Sequence, residues 1–203
     1  MTSDKLSSGK LSTSATAHRP ATGEIEKLMQ KLKQTRSPAD AEALARKAVS
    51  LKPERAELHL ALATALHMQG KASEAELAYA ECLKRDPKNL RALINLGSLQ
   101  IDGGQPAAAL KSLDGALHLS PDNTEALFHK GRGLGRMGEA GEALQIFDGL
   151  ARKLPDNVDV LKFLALCQID IGHKTEAAKV LSRAAELAPD DKAIQSAMKK
   201  LSN

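Results

Sequence analysis

The stretch LRALINLGSLQIDGGQPAAALKSLDGALHLSPDN, residues 90–123, decides the fold of this chain. Apolar residues recur in it at intervals of three or four positions, first over residues 90–103 and again over residues 107–119, which predicts two amphipathic helices. Gly104 follows the first predicted helix, where glycine permits the left-handed backbone that ends a helix. Pro121 follows the second predicted helix, where the chain turns and cannot continue helical. The stretch therefore predicts a helix–turn–helix unit.

The same unit recurs along the chain with a period of 34 residues. Prolines, glycines, alanines and larger apolar residues each form a column at this spacing, and small residues form another. Several columns in one register indicate an internal repeat, and a period of this length is typical of stacked helix pairs. The columns are Pro53, Pro87, Pro121, Pro155 and Pro189; Gly70, Gly104, Gly138 and Gly172; Ala75, Ala109, Ala143 and Ala177; Tyr79, Leu113, Phe147 and Leu181; and Ala63, Gly97, Gly131 and Ala165.

The register divides the chain into a tail, a cap, a repeat array and a second cap. Residues 1–21 have low hydrophobicity and no periodicity, which predicts a disordered tail. Residues 22–55 form a degenerate N-terminal repeat, and residues 192–203 form a capping helix, because the end units of a repeat array are atypical. Residues 56–191 hold four complete repeats. These repeats cover residues 56–89, 90–123, 124–157 and 158–191.

The sequence resembles the tetratricopeptide repeat (TPR) family over about residues 22–201. The resemblance is carried by the small-residue, glycine, alanine and proline columns, and it implies an all-α, right-handed α-solenoid of helix–turn–helix repeats. In such a solenoid the first helix of each pair lines a concave groove. One column that the family often fills with aromatic residues is aliphatic here apart from a histidine. Its members are His59, Leu93, Leu127 and Leu161.

The composition argues against several other classes of protein. Residues 1–55 carry 11 of the 29 Lys and Arg residues but only 6 of the 25 Asp and Glu residues, so the basic character belongs to the N-terminal part. A basic stripe with stacking aromatics, which nucleic-acid binding would favour, is not visible. No apolar run approaches the roughly 20 residues of a membrane span. Cys82 and Cys167 have no metal-ligand spacing and suit a reducing compartment, so we expect a cytoplasmic protein.

One stretch matches a cofactor-binding pattern. GLGRMG at residues 133–138 has the GxGxxG spacing of a dinucleotide site, but such a site needs a strand before the glycines and a helix opening after them. The repeat register instead places these glycines within a helix and at its end. No two histidines have the spacing of three or four residues that places both on one helix face. We therefore expect no enzyme activity, no cofactor and no metal.

The register also predicts a binding site on the groove face. Apolar side chains lie there on a surface that the stacking of repeats does not need to bury, and polar side chains surround them. Exposed apolar residues in such a setting indicate a surface for a partner. Asn95 alone fits the Lys, Asn and Arg clamp with which some TPR proteins bind acidic chaperone tails. A protein or peptide segment with apolar anchors therefore fits better. The predicted groove residues are Leu60, Ile94, Asn95, Phe128, His129, Arg132, Arg136, Lys162 and Phe163.

The function that these observations favour is a protein–protein interaction scaffold or adaptor. Two alternatives remain open from the sequence. In the first, the chain is the recruiting arm of a larger transferase-type enzyme whose catalytic part is absent. In the second, it is a secretion or assembly chaperone that shields an apolar segment of its partner. The repeat does not choose among these functions, and the sequence leaves the oligomeric state open.

Overall fold

The computed structural model describes residues 21–201 of the chain. The predicted tail over residues 1–21 lies outside the described part except for Ala21, where the first helix begins. The described residues form eleven α-helices and contain no strand. The helices are α1 (Ala21–Gln34), α2 (Pro38–Leu51), α3 (Ala56–Met68), α4 (Ala72–Arg85), α5 (Leu90–Asp102), α6 (Pro106–Leu119), α7 (Thr124–Arg136), α8 (Ala140–Lys153), α9 (Val158–Asp170), α10 (Lys174–Leu187) and α11 (Lys192–Leu201).

The helices stack in consecutive pairs, α3 with α4, α5 with α6, α7 with α8 and α9 with α10. Each first helix also contacts the first helix of the next pair, from α3 through α5, α7 and α9 to α11, whereas successive second helices do not pack together in this way within the described residues. The first helices therefore form the inner layer of a curved α-solenoid. Their free face lines the concave groove, as the repeat register predicts.

A glycine shapes the turn inside each complete pair. The backbone at these glycines lies in the left-handed region, where a side chain would be strained. Because the glycine itself is outside the helix, each first helix ends two residues before it, one residue earlier than the apolar pattern predicts. Their φ angles are 72° at Gly70, 75° at Gly104, 84° at Gly138 and 84° at Gly172.

Small residues allow the two helices of a pair to approach closely. A Cβ atom added to Gly97 would lie 2.6 Å from Leu113 Cγ, and one added to Gly131 would lie 2.7 Å from Phe147 Cζ. Leu113 and Phe147 are completely buried. The large apolar residue of each pair therefore packs into the space left by the small residue on the facing helix, which explains why both columns follow the same period.

Three of the first helices, α5, α7 and α9, have an asparagine N-cap that was not predicted from the sequence. Asn89, Asn123 and Asn157 lie 34 residues apart, and each side chain accepts a hydrogen bond from the backbone amide three residues later, at 3.1, 2.9 and 3.0 Å. Asp191 is next in this column and accepts from the amides of Ala193 at 2.8 Å and Ile194 at 3.2 Å. Such caps satisfy amides that have no partner within the helix, so α11 begins as a further first helix.

The GxGxxG stretch adopts no nucleotide-binding geometry. Its first glycines lie in α7, and Gly138 forms the turn into α8. None of the described helices combines the length and the apolar character that crossing a membrane would require.

Candidate functional site

A cavity of about 420 Å³ opens on the concave face between α7, α9 and α11. Its wall is mainly apolar, with charged side chains at its edge. The volume falls in the range that holds a large side chain of a ligand. We call this cavity the aromatic pocket; its lining residues are Phe128, Arg132, Asp159, Lys162, Phe163, Leu166, Leu181, Ala193 and Ala197.

All three phenylalanines of the chain meet beside this pocket. Phe163 stacks on Phe147 with a centroid distance of 5.4 Å and an interplanar angle of 13°. Phe128 packs edge-on against both, at 5.4 Å from Phe163 and 5.9 Å from Phe147. Phe147 is completely buried, whereas Phe128 and Phe163 are half-buried. The two predicted anchor residues therefore belong to the core on one side and to the pocket on the other.

Arg132 is held in place by three contacts. Its Nη2 donates to Asp102 Oδ1 at 2.8 Å, its Nη1 donates to His129 Nδ1 at 3.3 Å, and its guanidinium lies 5.8 Å from the ring centroid of Phe163. The pKa of His129 is lowered to about 4, chiefly by burial and in second place by the charge of Arg132. His129 is therefore neutral at pH 7 and acts as an acceptor for Arg132.

Lys162 connects the last repeat to the capping helix. Its Nζ lies 2.9 Å from Asp159 Oδ1 and 2.9 Å from Oδ2 of Asp191, the N-cap residue of α11. Both carboxylates raise the pKa of Lys162 through these hydrogen bonds. Lys162 also lines the aromatic pocket, so its predicted contact with a partner stays a prediction. Its ion pair with Asp191 links it to α11, which forms one wall of the pocket.

Two smaller cavities adjoin the aromatic pocket. One, of about 200 Å³, is lined by Arg136 and Asp170 at the C-terminal ends of α7 and α9, with Phe163 and Leu166 shared with the aromatic pocket. The other, of about 190 Å³, includes Glu125 near the N-terminal end of α7. The recessed part of the concave surface therefore extends across α7 and α9 on both sides of the aromatic pocket.

Other predicted groove residues lie apart from the pocket, in α3 and α5. Leu60 is half-buried and packs on the core between the first pairs. Asn95 is half-buried beside the Tyr79 hydroxyl. Ile94 is only 3% exposed and packs in a core cluster with Ala126 of α7. The side chain of Ile94 therefore fills the contact between adjacent first helices and is not exposed to the groove, so its predicted contact with a partner has no support in this structure.

The structure adds residues that the predicted site did not contain. Leu166 is 42% exposed although it is a large aliphatic residue, and it lines both the aromatic pocket and the adjoining cavity of about 200 Å³. Ala193 and Ala197 of α11 form the far wall. The 34-residue register places Leu166 on the groove face, but it does not show that α11 closes a pocket. That wall is held by long-range contacts, the ion pair between Lys162 and Asp191 and the packing of buried Ile194 on the last pair.

The remaining chemistry-bearing groups are separated. Both cysteines are free and buried, and burial raises the pKa of each thiol to about 11. In the described residues, no three His, Cys, Asp or Glu side chains come close enough to hold a metal ion.

The paired helices, the left-handed glycines and the concave inner layer define a TPR-type α-solenoid. A family model described as tetratricopeptide repeat matches residues 66–127 and 136–201, and a second model with the same description matches residues 30–89. The protein belongs to the tetratricopeptide repeat family, and the predicted all-α solenoid is confirmed. A comparison with curated protein sequences finds no significant match.

Solved structures with the same fold include three that cover most of the chain. YrrB, described as a TPR protein with an unusual peptide-binding site, is 23% identical over 88% of this chain and 92% of its own, with a TM-score of 0.75. MamA from Desulfovibrio magneticus RS-1 is 16% identical over 85% of this chain and 98% of its own, with a TM-score of 0.77. PilF of Pseudomonas aeruginosa is 20% identical over 90% of this chain and 82% of its own, with a TM-score of 0.75. These likenesses show the shared fold.

Proposed function

We propose that this protein is a non-catalytic adaptor that binds a protein or peptide segment through the aromatic pocket of its concave groove. The observation that carries the proposal is an apolar cavity of about 420 Å³ in which Leu166 is 42% exposed. A helix in a stacked array buries its large aliphatic residues against its neighbours, so an exposed leucine inside a cavity favours a partner that covers it.

The side chains around Leu166 support this proposal. Phe128 and Phe163 present ring surface to the pocket and are held in position by the buried Phe147. Rigid aromatic and Arg side chains commonly carry much of the binding energy of an interface. Arg132 contacts the Phe163 ring and is fixed by Asp102, so the pocket is preorganised and little conformational entropy is lost when a ligand enters.

A peptide is the ligand class that suits this shape. The groove continues from the aromatic pocket over α7 to α5 and α3. There the Asn95 side-chain amide contacts the Tyr79 hydroxyl and retains further donor and acceptor capacity for the backbone of a ligand. YrrB, which shares the fold, is described as having a peptide-binding site. We further propose the cytoplasm as the location, because both cysteines are free and buried.

The test uses the full chain and peptides selected on it from a random library displayed on phage. Leu166→Lys places a charge in the pocket without removing a core residue, so it should weaken the selected peptides about tenfold or more, measured by fluorescence anisotropy. Leu77→Lys is the matched control, because Leu77 is 69% exposed on α4, a second helix outside the groove. Unchanged binding to Leu166→Lys, with an unchanged melting temperature, would contradict the proposal.

A further inference from the structure

The predicted groove residues include three cations near the aromatic pocket, Arg132, Arg136 and Lys162. Five carboxylates accompany these three cations among the residues that line the three adjoining cavities and their ion-pair partners. The site therefore has a net negative charge. The carboxylates belong to Asp102, Glu125, Asp159, Asp170 and Asp191.

Exposure increases this imbalance for an incoming ligand. The side chains of Arg132 and Lys162 are only 19% and 21% exposed, and both are engaged by carboxylates. Their partners Asp102 and Asp159 are 50% and 66% exposed. Because a ligand in the groove meets the exposed ends of these pairs, it encounters carboxylate oxygens more than cationic nitrogens.

Glu125 adds a charge that no cation of the described chain neutralises. It is exposed in the first turn of α7 and makes no hydrogen bond or ion pair with any described residue. It lies one period before Asp159, so the two acids occupy equivalent places on adjacent first helices. Both line the small cavity next to Phe128, and Asp159 also lines the aromatic pocket. On the other side of the pocket, Arg136 and Asp170 offset each other.

We infer that the segment bound by the aromatic pocket carries a large apolar side chain next to a lysine or arginine. The apolar side chain occupies the space beside Phe163 and Leu166, and the neighbouring cation lies between Glu125 and Asp159. Charge complementarity of this kind sets the choice and orientation of a partner more than its overall affinity. The inference rests on the proposed function, since it assigns the chemistry of the ligand of that same pocket.

The experiment is a selection from a random peptide library displayed on phage, carried out on the full chain at low salt. Peptides that depend on Leu166 should be enriched in Lys or Arg within a few positions of a large apolar residue. When such a peptide is synthesised, replacing its Lys or Arg by Glu should weaken binding by about threefold or more, and raising the salt should reduce this difference.

Glu125→Lys tests the charge directly, because this exposed side chain has no partner whose loss would disturb the fold. The variant should abolish or invert the preference for Lys over Glu in the peptide. Glu142→Lys is the matched control, since Glu142 occupies the first turn of α8, a second helix outside the groove, and has an equivalent effect on the helix dipole. The control should leave the preference unchanged.

The outcomes separate the two proposals. Enrichment of acidic peptides whose binding is lost in Leu166→Lys would overturn the basic-ligand inference and leave the proposed site intact. The same holds if Glu125→Lys and Glu142→Lys show the same preference as the wild type. A selection in which no enriched peptide depends on Leu166 would overturn the proposed site, and the inference with it.

Discussion

The two halves of the concave groove differ in chemistry although they have the same backbone. Positions two periods apart are equivalent, yet at four of them the N-terminal half holds a smaller side chain, three of them polar, where the C-terminal half holds a phenylalanine, an arginine or a leucine. The repeat thus determines where a side chain lies. The residue type at each repeat position determines whether that position offers surface to a ligand. The equivalent pairs are Leu60 and Phe128, Thr64 and Arg132, Asn95 and Phe163, and Ser98 and Leu166.

The residues beneath the groove show the same difference. Tyr79 and Phe147 are equivalent and both completely buried. The Tyr79 hydroxyl lies 3.5 Å from His67 Nδ1 and beside Asn95, so polar groups in the N-terminal half satisfy one another. Phe147 has no hydroxyl and stacks on Phe163. The C-terminal half therefore leaves part of the ring surface of Phe128 and Phe163 exposed in the aromatic pocket.

The largest expected effect comes from removing the floor of the C-terminal half. Phe147→Ala should lower the free energy of unfolding by about 3–5 kcal/mol, because the ring is completely buried and contacts both other phenylalanines. Tyr79→Phe, at the equivalent place, removes only a hydroxyl and should cost about 1 kcal/mol. Urea unfolding checks both values, and equal losses would contradict the assigned difference between the halves.

Two glycines of α7 give a sharper contrast within one helix. Gly131→Ala should destabilise the protein by about 1–2 kcal/mol, since its new Cβ atom would lie 2.7 Å from Phe147 Cζ. Gly135→Ala meets no atom within 4 Å and should stabilise the helix by up to about 1 kcal/mol. Thermal melts of the two variants should shift in opposite directions; a shift in the same direction would show that Gly131 is not tightly packed.

The pH dependence of stability should report on His129. Its folded-state pKa of about 4 lies below the ordinary value of 6.5, so the unfolded chain binds the proton more readily and stability decreases as the pH falls through this window. Arg132 and His67 oppose protonation of the ring, while Asp102 favours it. Between about pH 7 and about pH 5, the free energy of unfolding of the wild type should fall by on the order of 1 kcal/mol more than that of His129→Gln, after allowing for solvent screening. Parallel pH profiles would contradict this.

The smallest effect concerns two glutamines at equivalent places. Gln100 accepts from the Ser112 hydroxyl at 3.0 Å and donates to Glu76 at 3.2 Å. Gln168 Oε1 is buried and has no hydrogen-bond partner in the described residues. Gln168→Leu should therefore stabilise the protein by up to about 1 kcal/mol, whereas Gln100→Leu should not. Chemical denaturation that shows the same change for both would remove the contrast.

Much of the fold could be predicted from the sequence, because each helix depends on local apolar spacing and on the glycine at its end. The helix pairs follow from that pattern, and Gly104 or Gly138 marks a turn whichever residues surround it. The burial of Ile94 could not be predicted, because its column also contains the cation Lys162 and the half-buried Phe128. A column shows which face a residue occupies, and the width of the crevice between adjacent helices decides how deeply it lies.

The candidate site was predicted only in part. Phe128 and Phe163 could be placed on the groove face because they are one period and one residue apart. Their contacts with Phe147 could not be predicted, because these contacts join α7 and α8 of one pair to α9 of the next. For that reason a Phe128→Ala, Phe163→Ala double variant should lower both stability and binding, and it cannot separate a core role from a groove role. Leu166, which is exposed and lies outside the core clusters, is the better probe.

The central claim, that the C-terminal half of the groove binds the ligand, is tested most directly by the same substitution at two equivalent places. Leu166→Lys and Ser98→Lys each put a lysine at one groove column, two periods apart. A peptide selected on the wild-type chain is titrated against both variants by fluorescence anisotropy. We predict that Leu166→Lys weakens binding about tenfold or more and that Ser98→Lys leaves it within about twofold of wild type. Equal binding by both variants, or a larger loss for Ser98→Lys, would contradict the account.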